Sequence, residues 1–437
     1  TGLFIPGSLA LVTAFVGFIT LIIIPIPMIR ELSIAASIGV GYKIVTNLIM
    51  LPLVASYIQF PSTYAQQQEA LQNQRSRLVE KLGWMAELRN VRYVMALTAV
   101  LFGVAVWQSQ GRHIGALQAG APELRSESRY NQDIDAIVQR FDLGMEVLTV
   151  VFETPADSCN QYEVVNYIDQ FTQHISQVPG VLTVSSISSL AKFANAGLNE
   201  GHPKMTALPR DSQALQMAVG YLPEAGGLFN RACTMMAANI YLSDHKATTI
   251  QTVIEAVKRF RTDFDGQDQG VKLRLASGNV GLIAAINEEV EQREIAMMMY
   301  VYAAIVGLVL LAYRDWRAML ACCLPLTLAT FLGYWFMKSL DIGLTVATLP
   351  VMVLATGIGV DYAFYIYNRL LAHLVAGANM KSAIQGALRE VGIATIFTAI
   401  TLSVGVATWS FSDLKFQADM GILLTFMFMI NMIMAIT

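Results

Sequence analysis

The sequence predicts a polytopic α-helical membrane protein with one inserted α+β domain. Its composition excludes an ordinary soluble protein and a disordered one, because 55% of the 437 residues are hydrophobic and only 14% are charged. Apolar runs long enough to cross a bilayer recur near both ends of the chain. Between them, residues 110–294 are polar and mix strand-like with helix-like patterns. The net charge is only −3 and the sequence has no basic tract, so no nucleic-acid partner is predicted.

The apolar runs divide the chain into membrane and connecting segments. A Gln-rich, basic stretch after the second run is predicted to be a helical cytoplasmic connection by the positive-inside rule. An amphipathic stretch at 380–390 is predicted to lie along the same face. The predicted segments are two transmembrane helices in 1–58, a linker in 59–92, a third helix in 93–109, an extracytoplasmic domain in 110–294, and five helices in 295–437 with the last one truncated.

Two β-α-β patterns follow one another in the polar region. The strand-like runs cover 145–152, 181–186, 236–242 and 271–276, and a helix-like run lies within each pair, at 162–178 and 248–264. This order predicts a split, ferredoxin-like pair of subdomains. The acidic helix 283–294 is predicted to be a solvated connection back to the bilayer. Surface positions are predicted for His174, His202 and His245.

Asp361 lies inside an apolar run that starts near Leu344 and is long enough to span a membrane. A carboxylate is costly to insert there, and such a group is by default a proton or ion site. The small residues Gly357 and Gly359 allow neighbouring helices to approach closely and shield the acid from lipid. The alternative is a structural acid that is hydrogen-bonded or reaches interfacial water.

The ionised form of Asp361 needs a cation or hydrogen-bond donors. Tyr365 falls on the same helix face, one turn further on. The other candidates for this proton relay are Tyr362, Thr398, Thr401 and Lys43.

Lys43 stands close to the middle of the second apolar run, too deep to reach the interface easily. A buried cation needs a compensating acid, which could be Asp361 or a carboxylate outside this chain. The alternative is a lipid-exposed lysine near a thinned bilayer.

The two ends of the chain repeat each other at an offset of 388 residues. This offset aligns Thr13 with Thr401 and Gly17 with Gly405, each at the same place in a helix-loop-helix pattern. It also places Lys43 opposite Asn431. Two membrane halves with a site at their interface are a common transporter plan.

The cysteines have no metal-ligand spacing, and no metal site is predicted. Cys159 follows the first strand of one β-α-β unit, and Cys233 precedes the first strand of the other. Equivalent strand ends can lie close together, so a disulfide in an oxidising compartment and two unrelated thiols both remain open. The adjacent Cys322 and Cys323 are predicted to be small apolar-core residues.

Common catalytic and phosphate-binding motifs are absent from the sequence. It contains no G-x-x-x-x-G-K-[ST], H-E-x-x-H or G-x-S-x-G string. We therefore expect neither an enzyme nor a cofactor. The chain starts without Met and ends inside an apolar run, so it is predicted to be a fragment of a longer protein. It would contain the C-terminal half and the last two spans of the N-terminal half, and the missing part of that half would be one of its partners.

The string Gly357-x-Gly359-x-Asp361-Tyr362, in a span that follows two others after a large soluble loop, resembles the RND superfamily. The resemblance is to its MMPL-type exporters with a sterol-sensing-like membrane domain. It implies that residues 110–294 form an extracytoplasmic porter domain and that Asp361 and Tyr362 match the family's proton-relay pair. It also implies a multi-pass protein of the bacterial inner (plasma) membrane, with its porter domain in the periplasm or outside.

The same resemblance implies a proton-driven exporter of lipids or other hydrophobic or amphipathic molecules. Its partners would be the bilayer, protons and such a substrate, and a monomer or a homo-oligomer is compatible with the pattern. The alternatives are a non-transporting, sterol-sensing-like regulator that binds lipid, and a protein-translocation accessory.

Overall fold

The computed structural model describes residues 4–23, 26–57, 88–118, 120–141, 144–221, 227–264 and 270–437. Most of the predicted linker 59–92 lies outside these residues. The chain divides into two compact units, which we describe separately. The first, the helical unit, contains residues 1–112 and 290–437, and the second, the sheet unit, contains residues 113–289.

Long apolar helices make up the helical unit. Seven helices of the described residues are long and apolar enough to cross a membrane, and a shorter apolar helix, Gly7–Thr20, precedes them. The chain is therefore a multi-pass membrane protein. The helices are α1 Phe4–Thr20, α2 Pro27–Val45, α3 Leu51–Ser56, α4 Leu88–Ser109, α10 Gly278–Tyr313, α11 Trp316–Ser339, α12 Leu349–Val375, α13 Met380–Ala387, α14 Ile393–Ala407 and α15 Lys415–Ile436.

Three features of these helices were not evident from the hydropathy of the sequence. A π-helical turn, Thr46–Met50, joins α2 to α3 shortly after Lys43. Another π-helical turn, Leu388–Gly392, joins the amphipathic α13 directly to α14, so the two form one continuous helical segment. The last helix, α15, starts at Lys415 and has 22 residues, which is long enough to cross a membrane.

The helix boundaries fit the repeat between the two ends of the chain. Pro27 starts α2 and Lys415 starts α15, and the difference between these positions is the offset of 388. A 3₁₀ turn, Leu21–Ile23, follows α1, and another, Thr408–Phe411, follows α14. The structure thus repeats one helix-turn-helix arrangement in both segments.

A four-stranded antiparallel sheet forms the centre of the sheet unit. Its strands are β1 Glu146–Glu153, β2 Val181–Ser186, β3 Met235–Leu242 and β4 Lys272–Ser277, and its helices α5 Arg129–Phe141, α6 Tyr162–Ser176, α7 Ile187–Leu198, α8 Ser212–Gly220 and α9 Ala247–Asp263. The strand order is β2-β3-β1-β4, so each β-α-β unit encloses one strand of the other unit. The two predicted β-α-β units therefore interleave in one domain and do not form two separate subdomains, because both units share one sheet.

Aromatic residues of α6 and α9 form part of the core beneath this sheet. The ring of Phe171 lies 5.1 Å from that of Phe152 in β1 and 5.2 Å from that of Phe260 in α9, both in edge-on geometry. All three side chains are fully buried. The amphipathic patterns at 162–178 and 248–264 predicted these two helices because their apolar faces cover the sheet.

Cys159 and Cys233 form a disulfide in the sheet unit. Their Cα atoms are 5.4 Å apart, and 74 positions of sequence separate them. Cys159 lies in a 3₁₀ turn after β1, and Cys233 lies just before β3. Because β1 and β3 are antiparallel neighbours, the end of one strand lies beside the start of the other.

Two predicted surface groups are buried. His245 is only 3% exposed, in contrast to the predicted surface position. The predicted solvated helix 283–294 is part of α10, and Glu294 within it is 2% exposed. Glu294 pairs with Arg112, and His245 lies beside Glu146; both contacts are described below.

Candidate functional site

Helix α12 places Asp361 near the middle of a 27-residue apolar helix. At 1.5 Å per residue, Asp361 is about 18 Å from the start and about 21 Å from the end of this helix. Its side chain is partly buried within the described residues. The carboxyl group therefore lies far from both ends of an apolar helix that is long enough to cross a membrane.

Thr13 of α1 is the hydrogen-bond partner of Asp361 among the described residues. The Thr13 hydroxyl donates to Asp361 Oδ1 at 3.2 Å, and it also lies 2.8 Å from the Ala10 carbonyl oxygen and 3.1 Å from that of Leu9. Thr13 is only 1% exposed, so water does not compete freely for this contact. Its single hydrogen can therefore go either to the carboxylate or to a backbone carbonyl of its own helix.

Both glycines of the motif lie where another helix approaches α12. A Cβ atom on Gly357 would lie 4.0 Å from the Thr13 carbonyl oxygen in α1. A Cβ atom on Gly359 would lie 2.5 Å from the side-chain amide of Asn431 in α15, which is too close. Asn431 also donates through Nδ2 to the Ala355 carbonyl oxygen at 3.1 Å. The two glycines thus permit close contact of α12 with α1 and α15, as predicted.

The two predicted tyrosines lie on different sides of α12. Tyr362 is 2% exposed and packs with Ala399 of α14 and Met432 of α15. Its hydroxyl is buried and has no hydrogen-bond partner within the described part of the chain. The Tyr365 hydroxyl lies 3.8 Å from the Cβ position of Gly7 in α1, so Tyr365 faces the same helix as Asp361.

Neither Thr398 nor Thr401 forms a hydrogen bond with Asp361 among the described residues. Both are exposed, and their hydroxyls donate to carbonyl oxygens of their own helix, at 2.9 Å for Thr398 and 2.8 Å for Thr401. The repeat explains the difference, because Thr13 is the counterpart of Thr401 at the offset of 388. The contact to Asp361 is made by the first copy of this threonine.

Lys43 is exposed within the described residues and forms no ion pair with Asp361. Its charge is nevertheless close enough to interact electrostatically with Asp361. Its repeat counterpart, Asn431, binds the backbone of α12 through its side chain. Lys43 therefore occupies a position whose counterpart makes a polar contact between helices.

We expect Lys43→Met to reduce the transport proposed below several-fold without lowering the amount of folded protein, because it removes a charge near Asp361 and keeps the apolar stem. Lys338→Met, which removes a lysine near the end of another apolar helix, is the matched control. Transport is measured at equal protein level in proteoliposomes. Undiminished transport by the Lys43 variant would identify the lysine as a tolerated surface charge.

A second buried polar cluster joins the end of α4 to two other helices of the helical unit. Arg112 Nη2 lies 2.5 Å from Glu294 Oε2, and the Arg112 guanidinium lies 4.7 Å from the centre of the Tyr334 ring. The Glu294 side chain is 3% exposed. Glu294 directly precedes the apolar part of its helix, and this position was a weak indication of the cluster.

Comparisons with known proteins agree with this architecture. The family model of the MMPL family matches residues 158–437. The membrane protein MJ1562 of Methanocaldococcus jannaschii is 23% identical over 290 residues, which are 64% of this chain and 71% of that protein.

Two solved structures have a similar fold. The hedgehog release protein Disp from the water bear Hypsibius dujardini has a TM-score of 0.63 at 15% identity, and the match covers 99% of this chain and 57% of that one. SecDF in its super-membrane-facing form has a TM-score of 0.50 at 11% identity, and the match covers 99% of this chain and 46% of that one. The chain thus spans about half the length of these two proteins. Since the family model matches well over half of the sequence, the chain belongs to the MMPL family.

Proposed function

We propose that this chain takes part in proton-driven transport of lipids or other hydrophobic or amphipathic molecules across a membrane. The observation that carries the proposal is the contact between Asp361, midway along a membrane helix, and the buried hydroxyl of Thr13. An ionisable group at this depth is costly, and proton transport is a function that needs it. Membership of the MMPL family supports the same class of function.

The Thr13 hydroxyl can serve both protonation states of Asp361. When the carboxylate is ionised, Thr13 donates its hydrogen to Asp361 Oδ1. When Asp361 is protonated, its own O–H can donate to Thr13 Oγ1, and Thr13 then donates to the Ala10 carbonyl oxygen, which lies 2.8 Å away. Loading a proton would therefore reverse one hydrogen bond between α1 and α12 and keep the Thr13 hydroxyl hydrogen-bonded in both states.

Such a reversal acts where the helices are most closely packed. Gly357 and Gly359 lie one helical turn or less from Asp361 and face α1 and α15, respectively. Packed helices change position between discrete arrangements instead of deforming continuously. We infer that proton binding favours one arrangement of α1, α12 and α15 and that proton release favours another.

In this proposal the sheet unit is the extracytoplasmic porter domain. Its strand order β2-β3-β1-β4 is compatible with a ferredoxin-like, split β-α-β domain. The Cys159–Cys233 disulfide supports an oxidising compartment such as a periplasm. The site of action would be the bacterial inner (plasma) membrane, and the partners would be lipid, protons and a hydrophobic substrate.

We expect Thr13→Val to slow gradient-driven transport about tenfold, because the ionised carboxylate loses a charge-assisted hydrogen bond while the side-chain volume is kept. The full-length protein is reconstituted in liposomes with an NBD-labelled lysophosphatidylcholine as the probe. A pH gradient is imposed in either direction, and the probe that reaches the outer leaflet is extracted with albumin.

Thr20→Val is the matched control, because Thr20 is also buried in α1 and donates to a backbone carbonyl, that of Gly17. The proposal predicts wild-type transport by this control. If the wild-type protein moves the probe at the same rate with and without the gradient, the proposed function is wrong for this probe class. If the gradient drives transport and both variants behave alike, the role of Thr13 is wrong.

A further inference from the structure

A cavity of about 240 Å³ lies in the sheet unit. It lies at the end of the two central strands where β1 begins and β3 ends. Helix α5 forms one wall, through Ile134, Asp135 and Val138. Glu146 at the start of β1 and the loop 243–245 after β3 form the other. All of these residues belong to the sheet unit, and the cavity is distant in sequence from the Asp361 site.

His245 lines this cavity and is 3% exposed. Its Nδ1 atom lies 3.0 Å from Glu146 Oε2, and neither ring nitrogen makes a hydrogen bond within the described residues. A buried imidazole nitrogen without a partner is costly, so it marks a place where a ligand can supply a missing contact. A neutral ring that turns its Nδ1–H towards the carboxylate leaves Nε2 as an acceptor.

The charged side chains that line the cavity are all acidic, beside neutral amides and hydroxyls that both donate and accept. Three carboxylates line it, those of Asp135, Glu146 and Asp244, and no Lys or Arg occurs among its described lining residues. Lys246 lies 3.5 Å from Asp244 and offsets one of these charges. Two carboxylates and an imidazole acceptor thus remain for a ligand that donates hydrogen bonds and carries positive charge.

The other lining residues indicate whether the positively charged ligand is a metal ion or an organic cation. Within the described ranges no group of three His, Cys, Asp or Glu side chains could hold a metal ion. Four apolar side chains also line the cavity, those of Ile134, Val138, Met145 and Leu242, together with neutral polar residues. A site with an apolar wall and a few convergent polar groups is typical of small organic ligands.

We infer that this cavity binds an organic molecule with a primary ammonium group and a short apolar body. The ammonium group donates to Glu146, to Asp135 at the rim and to His245 Nε2, and the apolar body packs against α5. This inference does not depend on proton-driven transport, because ligand binding to the cavity can be measured without a gradient.

Ligand-observed NMR titration of the purified full-length protein in detergent tests the inference with three probes of equal chain length. These are hexylamine, hexanol and hexanoate, measured at neutral pH where the amine is charged. We expect saturable binding of hexylamine and at least tenfold weaker binding of the other two, because they lack the charged donor. Equal binding of hexanol or hexanoate would overturn the inference, and so would displacement of hexylamine by Mg²⁺ or Zn²⁺.

Glu146→Gln keeps the size of the side chain and removes its charge, so hexylamine binding should fall about tenfold or more. Glu163→Gln, an exposed position in the first turn of α6, is the matched control and should bind as the wild type does. Unchanged binding in folded Glu146→Gln would overturn the assignment. If this variant does not fold, as judged by loss of the Cys159–Cys233 disulfide, the three-probe comparison on the wild-type protein decides.

Discussion

Replacing Asp361 with Asn should lower gradient-driven transport about 100-fold or more, because a positioned proton-transfer group contributes at least that factor. Asn has nearly the same volume as Asp, and its amide group neither takes up nor releases a proton near neutral pH. It resembles the neutral carboxyl group and can keep a hydrogen bond to Thr13. The variant should therefore fold, insert and still bind substrate, while the pH gradient no longer drives movement of the NBD-labelled probe.

Asp341→Asn is the matched control for this prediction. Asp341 is exposed, lies between α11 and α12, and has a positive φ of 51°, which Asn tolerates as well as Asp does. We expect wild-type transport from this control at equal protein level. Undiminished transport by Asp361→Asn would instead support the structural alternative, in which the acid only holds α1 against α12.

Removing the disulfide should lower the free energy of unfolding of the sheet unit by about 4 kcal/mol, because it closes a long loop and so restricts the unfolded chain. The loop spans 74 positions between Cys159 and Cys233. The double variant Cys159→Ser, Cys233→Ser is compared with the wild type by denaturant unfolding in detergent.

Reduction of the wild-type protein should produce the same loss of stability and should leave the double variant unchanged. Tryptic peptides that contain Cys159 and Cys233 should stay linked until a reductant is added. Free alkylation of both thiols in intact cells would contradict the disulfide and, with it, the argument for an oxidising compartment.

Hydropathy and periodicity were sufficient to predict most of the fold. Membrane helices are long and apolar, so α10, α11, α12 and α15 were evident without any tertiary contact. The alternating and amphipathic patterns predicted the strands and the two helices that cover them, because each has one apolar face. What they could not predict is that the two β-α-β units join into one sheet, since strand pairing depends on long-range contacts.

The candidate site could be predicted only in part. An acid inside an apolar run is visible in any sequence, and so are the glycines beside it. Its partner is 348 positions away in sequence, in α1, and no local pattern connects Thr13 to Asp361. The repeat pointed to Thr13 indirectly, because Thr13 aligns with Thr401 and Thr401 was predicted to donate a hydrogen bond to Asp361. The copy that contacts Asp361 was identified only by the packing of α1 on α12.

Buried polar residues were the least predictable feature. His245 and Glu294 occur in polar stretches, which is why both were expected at the surface. The structure buries them against Glu146 and Arg112, respectively, in contacts between distant segments. Charge alone therefore did not indicate exposure at these two positions, and only the tertiary partner explains the burial.

The coupling between protons and substrate is the central claim, and it is tested most directly by reversing the driving force. Liposomes that contain the full-length protein and a trapped pH-sensitive dye are given a gradient of the NBD-labelled probe and no initial pH gradient. If Asp361 couples the two movements, the probe gradient should drive a measurable proton flux in the wild-type protein and in Asp341→Asn, and none in Asp361→Asn. A proton flux of equal size in Asp361→Asn, or probe movement without any proton flux in the wild-type protein, would contradict the account.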